Sequence, residues 1–191
     1  HVNTGSSTSK GLLVTGIYTI PSTIPDLGAG SRMMFYPGKA AFRAGYVNGT
    51  QWNNVNVGDN STAMGYNTIA VGTNSTASGK NTIAYGKNST AVGNNTKANG
   101  DNSTALGDGT IAGGDYSTAM GYFTNTGGTL STAMGYSTNA VGYTSTAMGY
   151  FTTAGADYST ATGLNTKAKG YASAVMGMYN DSILLSNETS P

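Results

Sequence analysis

The sequence has no cysteine and one histidine, His1. A disulfide framework, a cysteine nucleophile and a Cys/His metal cage are therefore excluded, and the absence suits a surface-exposed chain that avoids redox chemistry. His1 is terminal and reads as a processing remnant; no other histidine can serve a serine as base. Charged residues make up 9% of the chain, about a third of the share usual in globular domains. Net charge is +1 with no basic run, which argues against nucleic-acid binding. No run of 18 apolar residues exists, so no segment reads as a membrane-spanning helix. Large aliphatic residues are scarce, so most of the chain cannot build a thick core; ladder hydrogen bonds, small-residue packing and partner chains must supply stability.

What the sequence does contain is a strict period. Ser-Thr-Ala-x-Gly begins at Ser61, Ser75, Ser89, Ser103, Ser117, Ser131, Ser145 and Ser159, every 14 residues, with a worn copy at Ser173 to Gly177. A unit this short cannot bury a face alone, so copies must stack. Each unit is two sevens. Ala63 and its equivalents fill the first half, and Ala70, Ala84, Ala98, Ala112, Ala140, Ala154 and Ala168 the second, with Thr126 in place of one. Gly follows two residues after each Ala, except that Gly155-Ala156 exchanges the order. Gly is expected to supply the positive φ that tight corners need.

Seven is also the coiled-coil period, but Gly, Thr and Asn each cost ~0.5–1 kcal/mol in a helix interior. Gly is not every third residue, which excludes collagen. An all-β, parallel two-sheet solenoid of 14-residue coils remains. Coils stacked at ~4.8 Å make nine of them a rod on the order of 40 Å long.

Alternation along each strand assigns the faces. Ser61, Ala63, Thr68 and Ala70 point inward, because only small residues fit between two sheets this close. Stacked threonines at 68, 82, 96, 110, 124, 138, 152 and 166 are expected to hydrogen-bond along the ladder. The outward column of the first strand reads Met64, Ser78, Val92, Leu106, Met120, Met134, Met148, Thr162, Met176, beside a threonine column from Thr62 to Thr160. That of the second strand, Val71, Tyr85, Asn99, Gly113, Gly127, Val141, Gly155, Lys169, is irregular. A long regular apolar row is not left in water, and regular identical columns favour closed symmetry. The reading is a homotrimer with Met64, Val92, Leu106, Met120, Met134, Met148 and Met176 on its axis; the alternative is a monomer with an exposed stripe.

Residues 59–177 thus form nine coils. Residues 1–58 read as a lead-in and N-terminal β cap. Residues 1–10 are polar, Leu12-Leu13-Val14 and Ile17-Tyr18-Thr19-Ile20 favour strands, and Pro21 and Pro25 break them. Arg32 to Tyr36, Pro37-Gly38 and Lys39 to Val47 read as strand, turn, strand. Trp52, Phe35 and Phe42 would seal an open end. Residues 178–191 read as an extension toward a neck or stalk. A start at His1 rather than Met suggests a fragment or processed product.

On the segments Asn74 to Gly79 and Asn102 to Gly107, the repeat resembles the heads of trimeric autotransporter adhesins, the YadA-like heads, over about 59–177. The resemblance implies a left-handed parallel β-roll, a homotrimer, an extracellular or cell-surface position at a fibre tip, and attachment to cells, glycans or matrix through an unknown receptor. The same repeats occur in phage tail fibres and in large surface proteins of environmental bacteria, so a phage or injection-system receptor-binding fibre is the alternative.

No catalytic, cofactor or metal site is expected. Asp59, Asp101, Asp115 and Asp157 share one turn position, but Thr73, Lys87, Thr129 and Tyr143 interrupt them, unlike a calcium ladder. Asp101, Asp108 and Asp115 alternate between opposite turns, and no pair of carboxylates suggests glycoside cleavage. No Gly-x-Ser-x-Gly elbow occurs. Tyr66, Tyr122, Tyr136 and Tyr150 fill one turn column, with Phe123 and Phe151 beside it and Tyr116 and Tyr158 opposite. Such rings either contact a sugar or protein ligand or seal a corner or trimer seam. A Thr-rich solenoid also raises ice binding, which burial of the threonine column would prevent.

Overall fold

The computed structural model describes Gly16, Ile17, Ile24 and residues 26–182. The polar lead-in 1–10, the runs at 12–14 and 18–20, Pro21, Pro25 and the chain beyond 182 lie outside the described residues. β1 (Gly30–Tyr36) and β2 (Ala41–Val47) form an antiparallel hairpin. Its turn is a single 3-10 turn at Pro37–Lys39. From there the chain is a parallel β-solenoid. Each coil has a five-residue strand, such as β3 (Thr62–Tyr66), and a two-residue strand, such as β4 (Ile69–Ala70). The pattern continues to β17 (Thr160–Leu164) and β18 (Lys167–Ala168), and β19 (Ala174–Met178) adds a last long strand. We number the coils from residue 59. Eight are complete among the described residues; the ninth is its long strand plus a bridge between Lys167 and Asp181.

Two sheets result. The first has 11 strands, the hairpin and every long strand; the second has the eight short strands. Equivalent residues pair without slippage: Ala63 with Ala77, Gly65 with Gly79, Met120 with Met134. The bonds joining coils are short and regular, for example Thr62 N–H to Ser75 O at 2.9 Å and Ile69 N–H to Thr82 O at 2.9 Å. β2 joins this sheet by pairing parallel to β3, with Arg43 opposite Ala63 and Ala44 opposite Met64.

The inward assignment holds. Ala63, Ala70 and their equivalents are fully buried, as are the Ser61 and Thr68 columns. Between the end coils the lumen holds alanine, serine and threonine; larger inward side chains, Arg43 and Val175, occur at its two ends. Thr126, the one replacement in its alanine column, is accommodated because its hydroxyl donates to Ser117 Oγ at 2.9 Å.

Two sequence expectations need correction. The buried Thr68-column hydroxyls, from Thr68 to Thr166, have no hydrogen-bond partner among the described residues. Equivalent atoms in successive coils lie one ladder spacing apart, ~4.8 Å, whereas a hydroxyl bond needs ~2.8 Å. Alternate serines of the neighbouring column have a nearer acceptor, Ser89 Oγ donating to Gly86 O and Ser131 Oγ to Gly128 O, both at 2.6 Å, whereas Ser75, Ser103 and Ser145 Oγ find no partner among the described residues.

The corners also differ from expectation. The left-handed residue at each corner is the one two positions after Gly: Asn67 (φ 51°) and Asn74 (φ 57°) in coils 1 and 2, then Phe123 (φ 50°), Thr144 (φ 52°) and Phe151 (φ 54°) later. This conformation turns the corner N–H back toward the preceding coil, where Asn81 N–H meets Tyr66 O and Phe123 N–H meets Asp108 O, both at 2.8 Å. The expected positive φ holds for one glycine in each coil, and both glycine columns serve a further need. Gly65 has φ +116° at the end of its strand, and a Cβ there would fall under 3.0 Å from the Gly79 carbonyl. Gly100 has no unusual φ, yet a Cβ would collide with the Gly114 carbonyl. These two columns let one coil lie directly on the next.

Two glycine substitutions separate these causes. Gly100→Ala should lower unfolding stability by about 2–3 kcal/mol, because its Cβ would collide with the Gly114 carbonyl and force the ladder to shift. Gly127→Ala, whose Cβ would lie 3.7 Å from Val141 Cγ1, should be neutral or stabilising by about 0.5 kcal/mol. Denaturant midpoints of the two variants check this; equal losses would contradict it.

Candidate functional site

The chain presents two outer faces and two corner columns. The first-sheet face carries the apolar row, held in register from Met64 to Met176. In the single chain its members are half-buried to exposed: Met64 41%, Met120 41%, Met176 69%. The threonine column beside it is half-buried. The row continues into the hairpin, through Ala44 to Met33, which is 66% exposed. Sequence reading missed this continuation. The signal was present: with Arg43 inward, Phe42 and Ala44 fall on the outer face by alternation.

The second-sheet face is mixed, with Ile69, Ile83, Lys97, Ile111, Asn125, Asn139, Thr153 and Lys167 in one column. Asn125 and Asn139 join side chains at 2.9 Å.

The corners divide the solenoid. In its first half they carry amide ladders: Asn74 to Asn88 and Asn88 to Asn102 at 3.0 Å on one edge, Asn81 to Asn95 at 3.1 Å on the other. Asparagine tolerates the left-handed region because its side chain can bond locally. From coil 5 onward, Tyr116, Phe123, Leu130, Thr144, Phe151 and Tyr158 take most of these positions, with Ser137 in coil 6 and Asn165 in coil 8 between them. Each forfeits about 1–2 kcal/mol of backbone energy relative to a right-handed site.

The structure brings together the aromatic residues singled out in the sequence. Tyr122, Tyr136 and Tyr150 stack with centroids 5.0 and 4.7 Å apart. Phe123 meets Tyr122 edge-on at 4.4 Å, and Phe151 meets Tyr150 at 4.6 Å and Tyr136 at 5.5 Å. Phe123 lies across Gly109, where a Cβ would come within 2.6 Å of its ring. Gly109 is thus the corner residue that makes room for it. On the opposite edge Tyr143, Tyr158 and Tyr171 form edge-on contacts at 5.5 Å. Tyr116 and Phe123 are 60% and 55% exposed. Ring packing of this kind returns about 0.5–1.5 kcal/mol per pair, which offsets part of the backbone strain.

The aspartates act as corner clips. Asp101 Oδ1 accepts Lys87 N–H, Asp115 Oδ1 accepts Asp101 N–H, and Asp157 Oδ1 accepts Tyr143 N–H, each at 2.8 Å. Asp108, on the other edge, accepts from Asn94 Nδ2 at 3.1 Å. Among the described residues no group of three His, Cys, Asp or Glu side chains could hold a metal ion.

One buried cation was not foreseen. Arg43 occupies the lumen position above Ala63 and is fully buried. Its guanidinium donates to Ser61 O at 2.9 Å, Ser61 Oγ at 2.8 Å, Ala70 O at 3.1 Å and Phe42 O at 2.8 Å. Burial pushes its pKa down to about 10, so it keeps its proton at neutral pH. Trp52 is buried nearby and donates Nε1–H to Thr68 O at 3.0 Å. Together these groups satisfy carbonyls of the first coil.

The family model for the YadA head domain repeat, which spans two copies, matches overlapping stretches from residues 57–82 to residues 140–166. The matches cover more than half of the chain and follow the solenoid described above. The chain belongs to the YadA head repeat family, a structural adhesin-type fold rather than an enzyme family. No curated protein matches it.

Arg43→Ala should cost about 3 kcal/mol, since it opens a cavity and removes the guanidinium's bonds to Ser61 O, Ser61 Oγ and Ala70 O. By hydrogen exchange, the Gly58 amide, which donates to Ala70 O, should lose protection while coil 7 amides keep theirs. Unchanged exchange in coil 1 would contradict this role for the guanidinium.

Proposed function

We propose that three copies of this chain assemble into an adhesin-like head, with Met64, Val92, Leu106, Met120, Met134, Met148 and Met176 lining the axis. The observation that carries this reading is the in-register apolar row on the first sheet, set against the uneven second-sheet face. Membership of a family whose heads are trimeric supports it. So does the poverty of the lumen: alanine, serine and threonine bury little apolar area, so the larger side chains outside must find cover elsewhere.

In this reading residues 30–58 cap the roll. The hairpin extends the first sheet, Arg43 closes the lumen, and Trp52 covers the neighbouring coil. The head sits outside the cell, on a surface fibre, and attaches to cells, glycans or matrix through faces repeated three times. Such a head needs no strong single site, because three equal surfaces on one rigid body raise avidity. It uses no cofactor or metal. Burial of the threonine column beside the methionines removes the flat regular surface that ice binding requires.

Light scattering on the purified chain should give a mass near three times 19.3 kDa. Met120→Asp combined with Met134→Asp should convert it to monomer, because carboxylates would be forced into an apolar axis. A wild-type monomer, or a double variant that stays trimeric, would refute the axis assignment.

A further inference from the structure

We infer that Asn48 is a self-modification site. The backbone nitrogen of Gly49 attacks the Asn48 side-chain carbonyl, ammonia leaves, and water opens the resulting succinimide to an isoaspartyl or aspartyl residue. The site belongs to the N-terminal segment of the single chain and does not depend on assembly.

Asn-Gly occurs twice in the chain, at Asn48-Gly49 and Asn99-Gly100. Glycine matters because no side chain shields the attacking nitrogen. Both asparagines are exposed, so exposure does not separate them; the state of the glycine nitrogen does. Gly100 is buried, its N–H donates to Ala112 O at 3.3 Å, and Asn99 N–H donates to the same carbonyl at 2.8 Å. Bringing Gly100 N onto Asn99 Cγ requires the peptide between them to rotate. The following coil leaves no room, since even a Cβ on Gly100 would collide with Gly114. Asp108-Gly109, which would cyclise by the same route with loss of water, is held likewise. Gly109 N–H donates to Asn94 O at 2.9 Å, and Asp108 Oδ2 accepts Asn94 Nδ2 at 3.1 Å.

Asn48-Gly49 is built differently. β2 ends at the buried Val47, and the chain leaves the sheet in a bend over residues 48–50. Among the described residues the Gly49 N–H has no backbone partner. A Cβ on Gly49 would have a single neighbour within 4 Å, Gln51 Oε1 at 3.6 Å. The flanks of the bend are fixed. Asn48 N–H donates to Asn67 Oδ1 at 2.9 Å, Thr50 O accepts Asn53 N–H at 3.0 Å and Asn56 Nδ2 at 2.8 Å, and Trp52 is buried. The peptide that must rotate is the free one between two anchored positions.

Gln51 completes the site. Its Nε2–H donates to Asn48 Oδ1 at 2.7 Å. That oxygen gains negative charge as nitrogen adds to Cγ, and a donor already aimed at it stabilises the tetrahedral intermediate. The other end of the same amide, Gln51 Oε1, is buried without a hydrogen-bond partner and lies on the Gly49 side. An idle acceptor thus stands beside the residue whose nitrogen must give up its proton.

The step balances without a co-reactant other than water. Gly49 N loses its proton to solvent, the N–Cγ bond forms, the Cγ–Nδ2 bond breaks, and Nδ2 departs as ammonia. Water adding at the main-chain carbonyl of the ring leaves the backbone running through Cγ, which is isoaspartate. Addition at Cγ gives aspartate. Isoaspartate lengthens the main chain by one methylene between Val47 and Trp52, and this loosens Trp52 from Thr68 O, to which it donates.

Incubation of the folded full chain at mildly alkaline pH tests the site. Conversion is located residue by residue by mass spectrometry. Isoaspartate is counted by methyl transfer from S-adenosylmethionine with an isoaspartyl carboxyl methyltransferase. Asn48 should convert at least about tenfold faster than Asn99, whose reaction waits on opening of the ladder. In guanidinium the two should convert at equal rates. Emission of Trp52, the only tryptophan, should move to longer wavelength as Asn48 converts. Equal conversion of Asn48 and Asn99 in the folded chain would overturn the site, as would an Asn48 that persists when folded yet converts in guanidinium. Conversion without isoaspartate would replace ring closure by direct hydrolysis and overturn it too. Gln51→Leu should convert at least about threefold more slowly than wild type when folded and equally in guanidinium. An unchanged or faster folded rate would contradict the role given to Gln51.

Discussion

The spacing of one coil on the next governs the rest of the molecule. Two glycine columns let backbone lie against backbone, and from Gly65 to Gly163 and from Gly72 to Gly142 an added Cβ would meet a carbonyl of the following coil, Ala156 being the one residue with a side chain in the second column. With that spacing fixed, equivalent residues must stack in register, and a one-residue slip would turn every inward side chain out. The close approach also sets the lumen. Between the end coils, where Arg43 and Val175 stand, alanine, serine and threonine fill it, so the interior supplies tight packing but little apolar burial. The methionines, tyrosines and phenylalanines are driven outside. A chain built this way carries its hydrophobic material on its surface, and the assembly we propose follows from that displacement.

The two corner types extend the same logic. Each corner needs a left-handed residue to aim an N–H at the preceding coil. Asparagine meets that need at low cost and adds an amide ladder. Rings meet it at higher cost and add exposed apolar area. From coil 5 onward aromatic residues join the asparagine, serine and threonine corners without altering the fold. The aspartate clips complete the polar bonding at one edge, which accounts for their scattered recurrence without a cation.

Much of this was legible in the sequence. A 14-residue period with paired Ala and Gly fixed the coil, and strand alternation separated inward Ala63 and Thr68 from outward Met64 and Ile69. The hairpin was readable from Pro37-Gly38 between two β-favouring runs. Three features were not. The left-handed corner lies two residues beyond each glycine, and Phe123 or Thr144 there gives no hint of positive φ. The threonine hydroxyls look able to pair, but strand spacing keeps them apart. Arg43, alone in an apolar run, reads as a solvated charge; only its parallel pairing with the alanine column places it in the lumen.

The central claim is that a roll with so lean an interior is held together by contact between copies. Its thermal midpoint should then depend on protein concentration, because unfolding is coupled to dissociation. Calorimetry across a hundredfold dilution tests this directly. The account predicts a midpoint that falls steadily on dilution. A midpoint independent of concentration, in a chain that sediments as a monomer throughout, would contradict it.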